Sequence, residues 1–240
     1  MLLQEARLPP GLRIYAIGDI HGRADLLERL HALIEADMQT GPERRVIVYL
    51  GDYVDRGPDS SAVIERLCRQ RLPEAEVVAL LGNHEAMMLE FLDAPFGAPL
   101  WLANGGDATL RSYHVRVPHS SDEFLLAQRA LRGALPRHHL HFLQGLQIQA
   151  RFGDYLFVHA GIKPGLPLDR QSREQMIWIR DVFLDSEADH GAVVVHGHTI
   201  VDDVEWRPDR IGIDTGAYCT GVLTALALEG GDRWLMMEQG

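Results

Sequence analysis

The sequence predicts a layered α/β fold, on three observations. Eight short segments are β-branched or aromatic and bounded by Gly, Pro or Asp, as strands are. Helical periodicities lie between the early ones, so the order β-α-β-α-β emerges and right-handed crossovers follow. Five polar motifs stand just past strand ends, where sheets of this kind bind ligands.

The first strand is expected over 13–17 and the second over 46–50. Between them Leu26, Leu27, Leu30, Leu33 and Ile34 recur at helical spacing. A second helix is expected over 61–72, with Pro73 as its stop. A strand over 77–81 and a helix over 85–92, directly after an Asn-His pair, come next. The stretch 94–146 has no strong strand and reads as a mainly helical insert near the site, within a single domain spanning 1–240. Inside it a helix is expected over 121–135, with Ser120 or Ser121 as its cap ahead of Asp122 and Glu123. Strands over 155–158, 193–195, 210–213, 223–228 and 234–237 complete the chain. The run Val193-Val194-Val195 fits a strand buried on both faces.

The chain has 240 residues, 46% hydrophobic and 24% charged, with a formal net charge of -11. That composition is globular, and the acidic balance argues against nucleic acid and anionic lipid as partners. The first ten residues lack the apolar core of a signal peptide, and no apolar run is long enough to span a bilayer. The two cysteines, Cys68 and Cys219, make no disulfide framework. Both are expected to be buried thiols in a reducing cytoplasm.

The motifs are Gly18-Asp19-Ile20-His21-Gly22, Gly51-Asp52-Tyr53-Val54-Asp55-Arg56-Gly57, Gly82-Asn83-His84-Glu85, His159-Ala160-Gly161 and His196-Gly197-His198-Thr199. Together they supply oxygen and imidazole donors for two cations sharing one acid. Asp19, His21 and Asp52 would serve one ion, and Asp52, Asn83, His159 and His198 the other. Ions held about 3.5–4 Å apart cleave phosphate esters by activating water between them. Such donors suit manganese, the expected pair, or iron, zinc or cobalt, better than calcium. His84 is placed to donate a proton to the leaving oxygen, with Asp55 holding its other ring nitrogen. Arg56 carries a planar fork suited to phosphate oxygens; the other reading is a structural ion pair with Asp59 or Glu85. The turn Asn104-Gly105-Gly106-Asp107 either lines the substrate groove or simply connects helices. His138, His139 and His141 follow Pro136 and are read as flanking a helix, not as a further metal site.

These motifs resemble the phosphoprotein phosphatases, the metal-dependent serine/threonine phosphatases with bacterial and phage members. The resemblance covers about 14–228, and its most specific part is Gly-Asp-Tyr-Val-Asp-Arg-Gly followed by Gly-Asn-His-Glu. It implies two mixed β-sheets sandwiched between helices, a four-layer α/β/β/α fold. It implies metal-ligand roles for Asp19, His21, Asp52, Asn83, His159 and His198. It also implies an acid role for His84 with Asp55 and phosphate contacts from Arg56. A second phosphate arginine is matched by Arg180, after Met176-Ile177-Trp178-Ile179. Ile200 stands where nucleases and cyclic-nucleotide phosphodiesterases of the wider superfamily carry another histidine. Glu85 and Asp55 point away from the symmetrical dinucleoside-tetraphosphate hydrolases. The short C-terminus is read as that of a stand-alone bacterial-type enzyme. The expected function is a phosphomonoesterase for phosphoserine or phosphothreonine in proteins, with phosphotyrosine also open, acting by direct attack of a metal-bridging hydroxide. The alternatives are a diadenosine tetraphosphate hydrolase, a nuclease and a non-catalytic scaffold.

Overall fold

The computed structural model describes residues 1–69, 72 and 75–240. Its strands are β1 (Leu12–Ile17), β2 (Arg44–Tyr49), β3 (Glu76–Ala79), β4 (Gln149–Phe152), β5 (Tyr155–Val158), β6 (Val193–His196), β7 (Glu205–Trp206), β8 (Arg210–Gly212), β9 (Val222–Glu229) and β10 (Asp232–Gln239). They form two five-stranded sheets, ordered β10-β9-β1-β2-β3 and β4-β5-β6-β8-β7. Each sheet is mixed. β1, β2 and β3 run parallel, as do β5, β6 and β8, while the remaining strands pair antiparallel. A lone parallel bridge from Leu80 to Gln147 links the end of β3 to the segment leading into the second sheet.

Strand alternation builds the layers. Ile14, Ala16, Val46 and Val48 face one way, into a core shared with Tyr155, Phe157, Val193, Val195 and Ile211 of the other sheet. Tyr15, Ile17, Ile47 and Tyr49 face the other way, against Leu26, Leu27, Leu30 and Ile34 of helix α1 (Ala24–Asp37). On the far side of the second sheet, Leu156, Val158 and Val194 pack with Met176 and Phe183. The central strands are therefore apolar on both faces. Burying each such large side chain contributes about 1.5–3 kcal/mol. The result is the expected four layers, helix, sheet, sheet, helix.

Several boundaries differ from expectation. Helix α2 (Ser60–Cys68) stops short of 72, and the expected stop at Pro73 lies outside the described residues. Asp59 caps it, Oδ1 accepting from the Ala62 N–H at 2.9 Å. Helix α3 (Asn83–Asp93) begins two residues early, so Asn83 and His84 form its first turn instead of preceding it. The helix expected from 121 opens as a 3₁₀ turn, Ser121–Glu123. Neither serine caps it through its side chain; Glu123 accepts from the His119 N–H instead. The insert is helical: α4 (Ala98–Trp101), a π turn at Leu102–Gly106, α5 (Asp107–Ser112), α6 (Phe124–Ala134) and α7 (Arg137–Gln144). His138, His139 and His141 lie inside α7, not beside it. Short helices α8 (Arg173–Trp178), α9 (Asp181–Leu184) and α10 (Ala217–Thr220) follow. Both cysteines depart from expectation: Cys68 is partly exposed at the end of α2, and Cys219 is exposed in the one-turn α10.

Candidate metal centre

All six parallel strands deliver polar residues to one place, and each does so just beyond its carboxyl end. β1 leads to Asp19 and His21, and β2 to Asp52, Asp55 and Arg56. β3 leads to Asn83 and His84, β5 to His159, β6 to His198 and β8 to Asp214. The loops are tight enough to force unusual backbone. Among the described residues six non-glycine residues have positive φ, and five of them are His21, Asp52, Asp55, Arg56 and His198. Such conformations are costly for L-residues and persist only where the surroundings over-determine them.

Those surroundings are identifiable. The Glu85 carboxylate accepts the backbone N–H groups of Asp52, Tyr53 and Val54 at 2.9, 2.7 and 3.1 Å, and that of Gly82 at 3.1 Å. It thus clamps the loop after β2 onto the start of α3. A Cβ on Gly82 would lie 2.1 Å from Asp52 Oδ1, and one on Gly197 2.1 Å from Asp19 Oδ1. Those two glycines let backbone pass against the carboxylates.

Asp52 lies at the middle. Its Oδ2 is 3.5 Å from His21 Nε2, 3.4 Å from His159 Nε2 and 3.8 Å from His84 Nε2. Its Oδ1 accepts from the His84 backbone N–H at 3.1 Å. Two close donor groups share it: His21, Asp52 and His84 on one side, and Asp52, His159 and His198 on the other. His159 Nε2 is also 3.0 Å from Asn83 Oδ1 and 3.2 Å from His198 Nδ1. Asp19 is not drawn into either tight group. Its two oxygens accept from the His198 backbone N–H at 3.2 and 3.1 Å, and its carboxyl meets that of Asp214.

Tautomers follow from the partners. His21 Nδ1–H donates to the Val54 carbonyl at 2.8 Å, and His159 Nδ1–H to the Leu50 carbonyl at 3.0 Å. In the neutral His21 ring this leaves the Nε2 lone pair facing Asp52, with Arg56 Nη1 3.0 Å from it. Burial pushes His21 down to about 3 and His198 down to about 2, so both are uncharged at neutral pH. Asp52 is buried too, which opposes its charge, yet neighbouring His159 and His84 hold its carboxyl well below the usual range. Burial, then Asp214 and Asp52, pushes Asp19 well up. Lone pairs and carboxylates that converge out of solvent repel unless a cation lies among them. His198 Nε2 is buried with no hydrogen-bond partner among the described residues. The nitrogen and oxygen donor set fits divalent transition metals.

A second arrangement adjoins the first. His84 Nδ1–H donates to Asp55 Oδ2 at 2.7 Å. Asp55 also accepts from Trp101 Nε1 at 2.9 and 3.1 Å and from Thr109 Oγ1 at 2.6 Å, both from the insert. Burial opposes charge on His84, but the Asp52 and Asp55 carboxylates outweigh it and its pKa is raised. Arg56 is in neither of the ion pairs weighed for it, since Asp59 caps α2 and Glu85 clamps the loop. Its Nη1 lies 3.0 Å from His21 Nε2, and its guanidinium stacks over Tyr218 at 4.8 Å. Its backbone N–H donates to Gly105 at 3.1 Å, so the Asn104–Asp107 turn braces the arginine's loop. Arg180 is exposed at the rim beside His198 and donates to Thr199 Oγ1 at 3.3 Å. A groove of about 920 Å³ adjoins this edge, lined by Leu89, Leu92, Leu135, Ile177 and Trp178 among others. The Trp178 ring is 6.3 Å from that of His198.

Asp214 and Tyr218 escaped the sequence reading. Asp214 had a signal: Gly212-Ile213-Asp214-Thr215-Gly216 repeats the pattern of an acid after an apolar strand end. Tyr218 had none, because only folding brings α10 over Arg56 and His21.

The chain matches the family model described as calcineurin-like phosphoesterase over residues 12–221. It is 30% identical over 228 residues to serine/threonine-protein phosphatase 1 of Salmonella typhimurium, covering 90% of this chain and 92% of that one. It is 27% identical over 229 residues to the asymmetrical bis(5'-nucleosyl)-tetraphosphatase PrpE of Bacillus thuringiensis, covering 88% of each. A solved structure described provisionally as a diadenosine tetraphosphatase shares the fold, with a TM-score of 0.66 at 23% identity, covering 98% of this chain and 99% of that one. No helix among the described residues is long and apolar enough to cross a membrane. Strand-end motifs, buried His/Asp groups able to bind metal and the match over most of the chain agree: this protein belongs to the calcineurin-like phosphoesterase family and is a hydrolase with phosphatase relatives.

Proposed function

We propose that the chain is a dinuclear-metal phosphomonoesterase acting on phosphoserine or phosphothreonine in proteins. The observation that carries the reading is the Asp55–His84 pair, 2.7 Å apart, with the far nitrogen of His84 turned towards Asp52 at 3.8 Å. Asp19, His21 and Asp52 would hold one cation, and Asp52, Asn83, His159 and His198 the other; manganese is the first candidate. Bound there, divalent cations supply hydroxide at neutral pH and neutralise phosphoryl charge.

The protein's own groups do the rest. His84 keeps a proton on Nδ1 for Asp55 and presents Nε2–H to the leaving oxygen as general acid. Asp55 favours the imidazolium and fixes the ring. Arg56 and Arg180 orient phosphoryl oxygens, with Asn83 beside them. The groove past Trp178, lined by apolar side chains and by charged ones such as Glu90, Arg132 and Arg173, suits side chains flanking a phosphorylated residue.

The second reading is a dinucleoside polyphosphate hydrolase. The 27% identity to the asymmetrical tetraphosphatase over 88% of the chain favours it. Parallel assays on a phosphopeptide and on diadenosine tetraphosphate, with manganese restored to chelator-treated protein, separate the two. A kcat/KM higher for the peptide is expected. Turnover of the dinucleotide alone would overturn the first reading.

A further inference from the structure

Away from the candidate centre, Glu65 of α2 meets His138 and His139 of α7. One carboxylate oxygen, Oε2, lies 2.7 Å from the Nε2 of each histidine. All three donor atoms lie within 4.8 Å of one another. His139 is fully enclosed, with 2% of its side chain exposed, whereas His138 is 56% exposed. The other ring nitrogen of His139 is 2.8 Å from the Tyr113 hydroxyl. Glu65 Oε1 pairs with Arg69.

We propose that Glu65, His138 and His139 form a further divalent-metal site, of the zinc type, that staples the insert to α2. Two imidazoles and one carboxylate exclude magnesium and calcium as the natural occupants. Three protein ligands leave a fourth position for water in a tetrahedral ion. That water has access: a cleft of about 420 Å³, lined by Cys68, His138 and His141, opens beside the group. Tyr113 supplies the outer contact a ligating histidine needs. Its oxygen can accept the Nδ1 proton of His139 and leave Nε2 bare. Ligands around tetrahedral zinc stand roughly 3.3–3.4 Å apart. Both 2.7 Å spacings must therefore open by roughly 0.6–0.7 Å, which the exposed His138 side chain and the part-exposed Glu65 carboxylate can give.

The sequence alone concealed this group. Neighbouring histidines on one helix do not announce a site, and Glu65 lies more than seventy residues before them. Only the packing of α2 on α7 brings the three together.

The test uses intact protein treated with chelator and then given Zn²⁺, freed of excess by gel filtration and assayed by elemental analysis. Wild type should hold one zinc more per chain than Glu65→Gln or His138→Gln. Phosphoester hydrolysis should be unchanged in both variants. Tyr113→Phe should weaken that one equivalent by about 10–100-fold. Asp52→Asn, which addresses the candidate active centre, should retain it, and Zn²⁺ should still raise its unfolding temperature. That arm keeps the outcome independent of how the active centre is read. Equal zinc content in wild type and both ligand variants would overturn the proposal and leave protons as what holds the three side chains together.

Discussion

Asp55 and His84 form a hydrogen-bonded pair 2.7 Å long in which both side chains are out of solvent. The carboxylate lies behind the imidazole and Asp52 in front of it, so two acids favour its charged form. An acid catalyst must be protonated, so activity should be lost as pH rises through the pKa of His84. Replacing Asp55 by Asn removes one of the groups that raise it. The alkaline limb of the rate profile should therefore move to lower pH, and kcat should fall about 100-fold or more. An unmoved limb in Asp55→Asn would remove Asp55 from the role proposed for it.

Trp101 gives the helical insert a direct part in the site. Its indole N–H donates to both oxygens of Asp55, at 3.1 and 2.9 Å, and its ring packs on Phe91. Trp101→Phe keeps most of the packing and deletes the donor. Losing a hydrogen bond to a buried charge costs about 1.5–3 kcal/mol, to be seen in denaturant unfolding. With the carboxylate less firmly held, kcat should fall about tenfold. Metal content should stay as it was, which separates a positioning defect from a ruined metal centre.

Legibility in the sequence tracked how local each feature was. Buried central strands announce themselves by continuous apolar runs, so β1, β2, β5, β6 and the antiparallel β9 were placed to within about two residues, and the motifs fell at the ends of the parallel ones. The edge strand β4 alternates exposed with half-buried residues, and β7 is two residues long. The alternation of β4 spans only four residues and β7 is shorter still, so neither stands out from a loop. The start of α3 was misplaced because Asn83 and His84 are poor helix formers by propensity. The bonds from Glu85 to the loop after β2 hold that turn regardless. Asp55 was visible as a partner for His84, but Trp101 and Thr109 were not, since they reach it from some fifty residues away.

The two arginines should separate kinetically. Arg56 is held by Tyr218 beneath it and Gly105 behind it, and it lies against His21. The exposed Arg180 side chain is tied, among the described residues, to Thr199 alone. The fixed guanidinium can meet a phosphoryl group without reordering. Arg56→Ala should therefore lower kcat/KM by roughly 10–100-fold with kcat affected. Arg180→Ala should act mainly through KM, and by less. Steady-state rates on one phosphopeptide decide this, and a larger loss for Arg180 would reverse the assignment.

Asp214 should carry two effects of opposite sign. It is buried beside Asp19, and burial raises the pKa of both; Asp214 and Asp52 add to the rise at Asp19, whereas at Asp214 the Asp52 charge adds to it and the hydrogen bonds from the Gly216 N–H and with Asp19 oppose it. A carboxyl whose folded pKa is raised stabilises the fold fully below its unfolded pKa. It loses that contribution as pH rises through the folded value. Chelator-stripped protein should thus lose stability as pH climbs above the ordinary carboxylate range. Asp214→Asn keeps the shape and can still accept from the Gly216 N–H, which now lies at 2.9 Å. It also removes one buried charge, so the stripped variant should melt higher than stripped wild type at pH 7, and less steeply with pH. With metal the order should invert. A negative charge beside Asp19 supports a cation, and its loss should weaken metal affinity by about 10–100-fold. Half-maximal activity would then require more added manganese. Calorimetry of the stripped proteins and a manganese titration of activity test the two signs separately. A stripped variant that melts lower than wild type would show that the Asp19–Asp214 contact is a stabilising hydrogen bond and not a repulsion awaiting a cation.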